Sequence, residues 1–148
     1  MTQQRLPEIY VQNRQRKIAV NAVALKEFAR RVLPLCAEEQ GKGLTNLDEV
    51  HVLLISDRKI SELHRRFMQI SGPTDVITFQ HGEIFISVET AQRQAKAFQT
   101  RLNDEIRLYL VHGLLHLRGF DDRDPKARRG IEAAQTRVLR RLSSGRSR

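Results

Sequence analysis

Two histidines stand four residues apart in an otherwise apolar run, and a glycine and two aspartates follow them. The run is VHGLLHLRGFDD, residues 111–122, with imidazoles at His112 and His116. On an α-helix, residues i and i+4 lie on one face with Cβ atoms about 5–6 Å apart, so both rings can reach one metal ion. Each buried imidazole must satisfy two ring nitrogens, and a shared metal satisfies one nitrogen of each ring.

The third ligand of such a site is expected after the helix, where the chain turns back. Gly119 supplies the turn three residues beyond His116, and Asp122 lies three residues further on, which gives the pattern HxxxHxxGxxD. Two imidazoles and one carboxylate leave a coordination position open, as in catalytic zinc sites. Spacing alone leaves an alternative open, namely a metal-free histidine pair hydrogen-bonded to Asp121 or Asp122.

The residue after the first histidine restricts the classes of reaction that the site could catalyse. Zinc proteases of the HExxH type carry their general base, a glutamate, at this position. Here the position is Gly113, which cannot transfer a proton. A small metallopeptidase is therefore disfavoured, and the base must be a zinc-coordinated water or a carboxylate such as Asp121.

Short strands and helices surround this histidine helix in mixed order, which indicates an α+β or mixed α/β class. Strands are expected at 8–13, 50–56, 76–79 and 83–87. Helices are expected at 20–32 with an interruption at Pro34, after a cap at Ser56 or Asp57, at 88–100, after a cap at Asn103 or Asp104, and at 125–142 after Asp124 and Pro125. We expect one domain, residues 1–148, with a frayed basic tail at 143–148.

Charge is unevenly distributed along the 148 residues, whose net charge is +9. Residues 1–31 carry a net +5, residues 123–148 a net +7, and the segment between them a net −3. Basic ends favour a polyanionic partner, although a solubilising surface is the alternative. The single Cys36 excludes an internal disulfide, and no run is long and apolar enough for a membrane span. These features predict a cytoplasmic protein.

Three segments resemble one known family. HGLLHLRGFDD resembles the signature of the bacterial YbeY family of rRNA maturation endoribonucleases, His-Gly-x-Leu-His-Leu-x-Gly-Tyr-Asp-His. GPTDVITF (72–79) is similar to that family's Pro-Thr-Asp-Val-Leu-Ser-Phe segment, and GEIFIS (82–87) to its Gly-Asp-Ile-x-Ile-Ser strand. The resemblance implies a compact α+β domain. It implies a central four-stranded mixed sheet packed with about five helices, and a metal site on a buried helix and the turn after it.

The resemblance also implies a function. It is that of a single-strand-specific, metal-dependent endoribonuclease, acting chiefly at the 3′ end of small-subunit (16S) rRNA and in ribosome quality control. The implied partners are precursor rRNA and the small ribosomal subunit with its assembly factors, and a monomer is expected. One divalent ion, zinc by default, would be held by His112, His116 and Asp122, and the expected catalytic residues are His112, His116 and Asp121. The expected RNA-binding residues are Arg65, Arg66, Arg128, Arg129, Arg140 and Arg141.

Two positions depart from the family pattern. The third metal ligand of the family is histidine, and here it is Asp122, a harder, anionic ligand that shifts preference toward Mn²⁺. Met68 stands where the family usually has an arginine, a residue that can clamp phosphate with two hydrogen bonds. Loss of that arginine leaves a second function open, a ribosome-assembly factor that retains the metal site and cleaves RNA weakly or not at all.

Overall fold

The computed structural model describes residues 5–146, with the side chain of Arg146 excluded. In chain order the elements are β1 (Glu8–Asn13), α1 (Ala22–Ala37), β2 (Glu49–Ile55), α2 (Asp57–Met68), β3 (Val76–Phe79), β4 (Glu83–Ser87), α3 (Val88–Phe98), α4 (Leu102–Arg118) and α5 (Pro125–Arg146). The expected α+β class, four-stranded mixed sheet and five helices are confirmed. None of the helices within residues 5–146 has the length and apolarity that a membrane span requires.

The four strands form one sheet in the order β1-β2-β4-β3. β1, β2 and β4 run parallel, and β3 pairs with β4 in the antiparallel direction. The adjacency of β3 and β4 predicted from the sequence is therefore confirmed. The turn between them requires Gly82, because its φ is +115° and a Cβ there would lie 2.6 Å from the carbonyl oxygen of Glu49.

The two faces of the sheet are covered unequally. Alternate strand residues, among them Val52 and Ile84, join the main core with α1, α4 and α5. The opposite face carries a smaller cluster, in which Leu53, Ile55 and Ile77 pack against Ile60 of α2. β3 is an edge strand, and just after it Nε2 of Gln80 donates to the carbonyl oxygen of His116 in α4 at 3.3 Å.

α4 lies on the main-core face of the sheet and is buried on nearly every side, as its apolar composition predicted. It packs tightly on the sheet at Gly113, where a Cβ would lie 2.7 Å from Cγ2 of Ile84. Glycine at this position thus lets the helix backbone rest directly on β4. His112 directly precedes Gly113, and His116 lies one turn further along the helix.

Several element ends differ from the sequence predictions. α4 begins at Leu102 with Arg101 at the N-cap position, so a cap at Asn103 or Asp104 is wrong. The first turn is held instead by Glu105, whose carboxylate accepts a hydrogen bond from the Thr100 hydroxyl at 3.0 Å. α1 continues through Pro34 to Ala37, since a proline in the last turn removes a single helical hydrogen bond.

At the other end of the chain, α5 begins as predicted. The Asp124 carboxylate accepts from the backbone N–H of Ala127 at 2.8 Å, and Pro125 occupies the first helical position. The helix runs to Arg146, so residues 143–146 of the predicted frayed tail are helical. Ser147 and Arg148 lie outside the described residues.

Candidate metal centre and RNA-binding cleft

His112, His116 and Asp122 converge at the C-terminal end of α4. The Nε2 atoms of His112 and His116 are 2.9 Å apart. Oδ2 of Asp122 lies 3.5 Å from Nε2 of His112 and 3.7 Å from Nε2 of His116. A tetrahedral ion with bonds of 2.0–2.1 Å would separate its ligand atoms by roughly 3.3 Å. The three residues predicted from spacing are thus brought together at distances that fit one metal ion.

The protonation pattern of the site also favours a cation. Nδ1 of His112 donates a hydrogen bond to Oε1 of Gln135 on α5, at 2.5 Å. The neutral ring then carries a lone pair on Nε2, the atom that faces His116 and Asp122. Nε2 of His112 thus faces a second imidazole and a carboxylate, and all three groups can coordinate one cation.

Burial keeps His116 in the neutral form that metal binding requires. Desolvation lowers the pKa of this imidazole and the neighbouring His112 lowers it further, while Asp122 and a backbone hydrogen bond with Phe120 act in the opposite direction. The net shift is downward. His116 is therefore uncharged and able to coordinate an ion at neutral pH.

The turn that delivers Asp122 depends on Gly119 and on a buried arginine. Gly119 adopts φ +125°, and its backbone N–H and that of Phe120 close the end of α4 on the carbonyl of Leu115. Arg118 is 5% exposed and donates to the carbonyl oxygens of Glu39 and Gly43, at 2.8 and 3.0 Å. The loop after α1 is thus fastened to the helix end from which the metal ligands project.

A cleft of about 180 Å³ opens beside His112, between α4, α5 and the start of β3. Its walls are formed by Asp75, Val76, Leu108, Tyr109, His112, Arg128, Ile131, Glu132 and Gln135. The hydroxyl oxygen of Tyr109 is buried there without a hydrogen-bond partner among residues 5–146. Burial raises the pKa of this phenol, and the carboxylates of Asp75 and Glu105 raise it further, so Tyr109 is a neutral donor.

Comparison with known proteins identifies the family to which this arrangement belongs. Residues 10–143 match the family model described as Endoribonuclease YbeY. The chain belongs to the YbeY family. The resemblance in the HxxxHxxGxxD segment therefore extends over nearly the whole fold.

Curated YbeY relatives share about a third of their residues with this chain. The Endoribonuclease YbeY of Gluconobacter oxydans is 35% identical over 122 residues, which are 78% of this chain and 73% of that protein. That of Petrotoga mobilis is 36% identical over 121 residues, 77% of this chain and 80% of that protein. A solution structure from Thermotoga maritima superposes with a TM-score of 0.62 at 24% identity, covering 94% of this chain and 92% of that one, and supports the fold.

The structure gives a second reason why Gly113 argues against a protease of the HExxH type. The position faces Ile84 of β4 rather than the metal ligands. A glutamate at this point of the YbeY helix would be directed into the sheet. The general base of an HExxH protease therefore cannot be restored by a substitution at residue 113.

Asp121, predicted to act as a base or to support the metal ligands, is turned toward Arg123. Its Oδ1 accepts from the backbone N–H of Arg123 at 3.2 Å, and its Oδ2 is 3.1 Å from the guanidinium. These hydrogen bonds lower the pKa of the Asp121 carboxyl. A carboxylate with a lowered pKa is a weaker proton acceptor. A catalytic role for Asp121 stays a prediction, and this pairing disfavours it.

The six predicted RNA-binding arginines occupy three places. Arg128 lines the cleft beside His112, while Arg65 and Arg66 are exposed at the C-terminal end of α2. Arg129 and Arg140 are exposed on α5, and Arg141 forms an ion pair with Glu38 at the end of α1. Its neighbour Arg137 pairs similarly with Glu39, at 2.6 Å. Part of the positive charge of α5 is thus neutralised by ion pairs with acidic residues of the same chain.

Gln135, Tyr109 and Arg118 were missed by the sequence analysis. Gln135 lies 23 residues after His112, on another helix, and a lone glutamine carries no spacing signal. Neither Tyr109 nor Arg118 carries a spacing signal, although Gly41 and Gly43 mark a backbone that approaches the end of α4 closely.

Proposed function

We propose that this protein is a metal-dependent endoribonuclease that cleaves single-stranded RNA during rRNA maturation in the cytoplasm. We place its main substrate at the 3′ end of small-subunit rRNA within the precursor or the assembling subunit. The observation that carries the proposal is the convergence of His112, His116 and Asp122 at ion-binding distances, beside a cleft in a YbeY-family fold. We propose zinc as the resident ion, with Mn²⁺ as the alternative that Asp122 favours.

The residues of the cleft have separate proposed roles. His112, His116 and Asp122 hold the ion, and Gln135 fixes the ring of His112. When bound, a divalent ion supplies a Lewis acid that stabilises charge on phosphoryl oxygens and makes a water molecule more acidic. Arg128, which lines the cleft, would bind an adjacent phosphate with its guanidinium. The neutral Tyr109 hydroxyl, buried without a hydrogen-bond partner among residues 5–146, is available to donate to a bound group.

The experiment that tests this proposal compares cleavage of a single-stranded RNA with cleavage of its duplex. The protein is loaded with Zn²⁺ or Mn²⁺, and His112→Ala and Lys96→Gln, an exposed position in the last turn of α3, are measured beside it. We expect cleavage of the single strand, which a chelator abolishes, which His112→Ala lacks and which Lys96→Gln retains. Equal activity with chelator, or equal activity of His112→Ala, would contradict the proposal.

Met68 favours a second candidate function, a ribosome-assembly factor with weak or no cleavage activity. Its side chain is 41% exposed at the end of α2, where the family resemblance places an arginine. A thioether cannot neutralise a phosphate, and Asp121 is held by Arg123 as a weak base. The variant Met68→Arg separates the two candidates. A large rise in metal-dependent cleavage, from a low level in the natural sequence, would favour the assembly factor, and unchanged cleavage would favour the nuclease.

A further inference from the structure

Exposed apolar side chains are concentrated at the C-terminal end of α2 and in the loop after it. Among the described residues, seven large apolar side chains are exposed, and three of these are Phe67, Met68 and Ile70. Phe67 is 53% exposed. We call residues 65–70 the α2 patch. Contiguous exposed apolar surface of this kind marks a binding site more often than an inert surface.

The ring of Phe67 is held in place by other aromatic rings. It meets the ring of Phe79 edge to face, with centroids 5.2 Å apart, and Phe79 meets Phe85 in the same way at 5.8 Å. The three rings anchor Phe67 to the small hydrophobic cluster on the face of the sheet that α2 covers. An aromatic ring that is fixed and half exposed is a ready surface for another flat ring.

The charge around Phe67 is positive. Arg66 lies over the ring, with Cζ 5.5 Å from its centroid. Arg65 lines a neighbouring groove of about 320 Å³ with Arg58, Ser61, Glu62, Ser71 and Gly72. Glu62, the acidic residue of this groove, is paired with Lys59 at 3.7 Å, and the sequence has no further acidic residue before Asp75.

A short chain segment links the α2 patch to the candidate active site. Residues 69–75 connect it to β3, and Asp75 at the end of this segment lines the cleft that contains His112. Nδ1 of His64 is hydrogen-bonded to the carbonyl oxygen of Gly72 at 3.0 Å and ties the segment to α2. A chain bound in the cleft can therefore extend along this segment to Phe67.

We propose that the α2 patch binds an unpaired base of single-stranded RNA, with Phe67 as the stacking ring and Arg65 and Arg66 on the flanking phosphates. Flat bases and a phosphate backbone match the two features of the patch, an exposed aromatic face and a local excess of arginine. This inference rests on the proposed RNA substrate. It adds a base-binding surface outside the metal site. Met68 would contribute apolar surface beside the stacking ring of Phe67.

The chain contains no tryptophan, so Phe67→Trp introduces a unique fluorophore at the proposed contact. The full-length variant is titrated with an oligoadenylate decamer, and total binding is followed by anisotropy of a labelled copy. The control variant is Phe98→Trp, which places the fluorophore at another exposed phenylalanine, at the end of α3. A gel confirms that the decamer stays intact during the titration.

We expect the decamer to quench the indole fluorescence of the Phe67→Trp variant and to leave that of the Phe98→Trp variant unchanged, because stacking requires contact with the ring. An abasic ribose-phosphate decamer of the same charge should quench neither variant. Saturation of the Phe67→Trp variant by RNA with unchanged indole emission would overturn the inference and leave the proposed function standing. Absence of any RNA binding would overturn both.

Affinity measurements provide the second test. Phe67→Leu retains apolar packing on Phe79 but cannot stack, and we expect binding of the decamer to weaken about fivefold or more. Its dependence on salt should stay that of the natural protein, whereas Arg65→Gln should reduce the slope of log K against log salt by about one. Unchanged affinity of Phe67→Leu would contradict RNA stacking and assign the α2 patch to a protein partner.

Discussion

Oε1 of Gln135 lies 2.5 Å from Nδ1 of His112, a contact that joins α5 to the candidate metal ligands of α4. Gln135 acts on the proton of His112, which it keeps on Nδ1 so that Nε2 is free to coordinate an ion. The closing helix thus contributes to the site through a hydrogen bond, in addition to its arginines.

Gln135→Leu should weaken metal binding by about 10- to 100-fold, because the ring of His112 loses its orienting acceptor. Affinity is measured by competition with a chromogenic chelator, which reports on the metal site independently of RNA cleavage. Gln135→Glu is the matched control, since it keeps an acceptor at the same place and should bind metal at least as well as the natural protein. Equal affinity of Gln135→Leu and Gln135→Glu would exclude this role.

Protein purified without chelators should contain about one equivalent of a divalent ion, and His116→Ala should lose it. Asp122→His should retain the ion and shift the preference from Mn²⁺ toward Zn²⁺, because imidazole is the softer ligand. Elemental analysis after dialysis against an equimolar mixture of the two metals measures both effects. A metal-free natural protein, even after reconstitution, would leave the histidines as a hydrogen-bonded pair.

Gly113→Ala should destabilise the protein by about 1–3 kcal/mol, because the new methyl group would lie 2.7 Å from Ile84. Gly130→Ala, in α5, is the control. It has no atom within 4 Å of the new Cβ, and should stabilise the protein by up to about 1 kcal/mol. Urea denaturation followed by circular dichroism measures both changes. If Ile84→Val partly rescues Gly113→Ala, the loss is assigned to this contact.

Asp57 should make the protein sensitive to acid. Burial alone would raise the pKa of its carboxyl, but hydrogen bonds from Arg93, Ser87 and Thr90 outweigh it and lower the pKa. Its stabilising effect is therefore complete above the unfolded-state pKa of about 3.9 and is lost as the pH falls through the lower folded-state pKa.

Asp57→Asn should reduce the free energy of unfolding at pH 7 by about 2 kcal/mol. It should also flatten the dependence of that free energy on pH in the acidic range. Asp48→Asn removes an exposed partner of Arg5 and should change neither quantity appreciably. Denaturant titrations from neutral to strongly acidic pH provide the comparison, and parallel pH profiles for Asp57→Asn and the natural protein would refute the assignment.

The convergence of His112, His116 and Asp122 could be predicted from the sequence because its determinants are local. His112 and His116 are one helical turn apart, and Gly119 indicates the turn that brings Asp122 back. Strand positions were similarly predictable, since β3 and β4 are apolar runs separated by a short glycine turn. Each of these signals depends on residues that are close together in the sequence.

The remaining features depend on contacts that residue type alone does not reveal. Gln135 was missed because its role exists only where α5 crosses α4. The start of α4 was misplaced because Asn103 and Asp104 are strong capping residues by type, whereas the contact between Thr100 and Glu105 holds the first turn. Arg141 was predicted to bind RNA, but in the structure its guanidinium forms an ion pair with Glu38.

All three proposed metal ligands come from one short segment, residues 112–122, and this has a consequence for folding. Bringing together ligands so close in sequence costs little loop-closure entropy, so an ion also binds the unfolded chain. Binding to both states reduces the stabilisation that a ligand gives to the native one. We therefore expect saturating metal to raise the melting temperature by less than its affinity for the folded protein would suggest. The stabilisation that remains should reflect the hydrogen bond between His112 and Gln135, which strengthens metal binding in the folded protein and is absent from the unfolded chain.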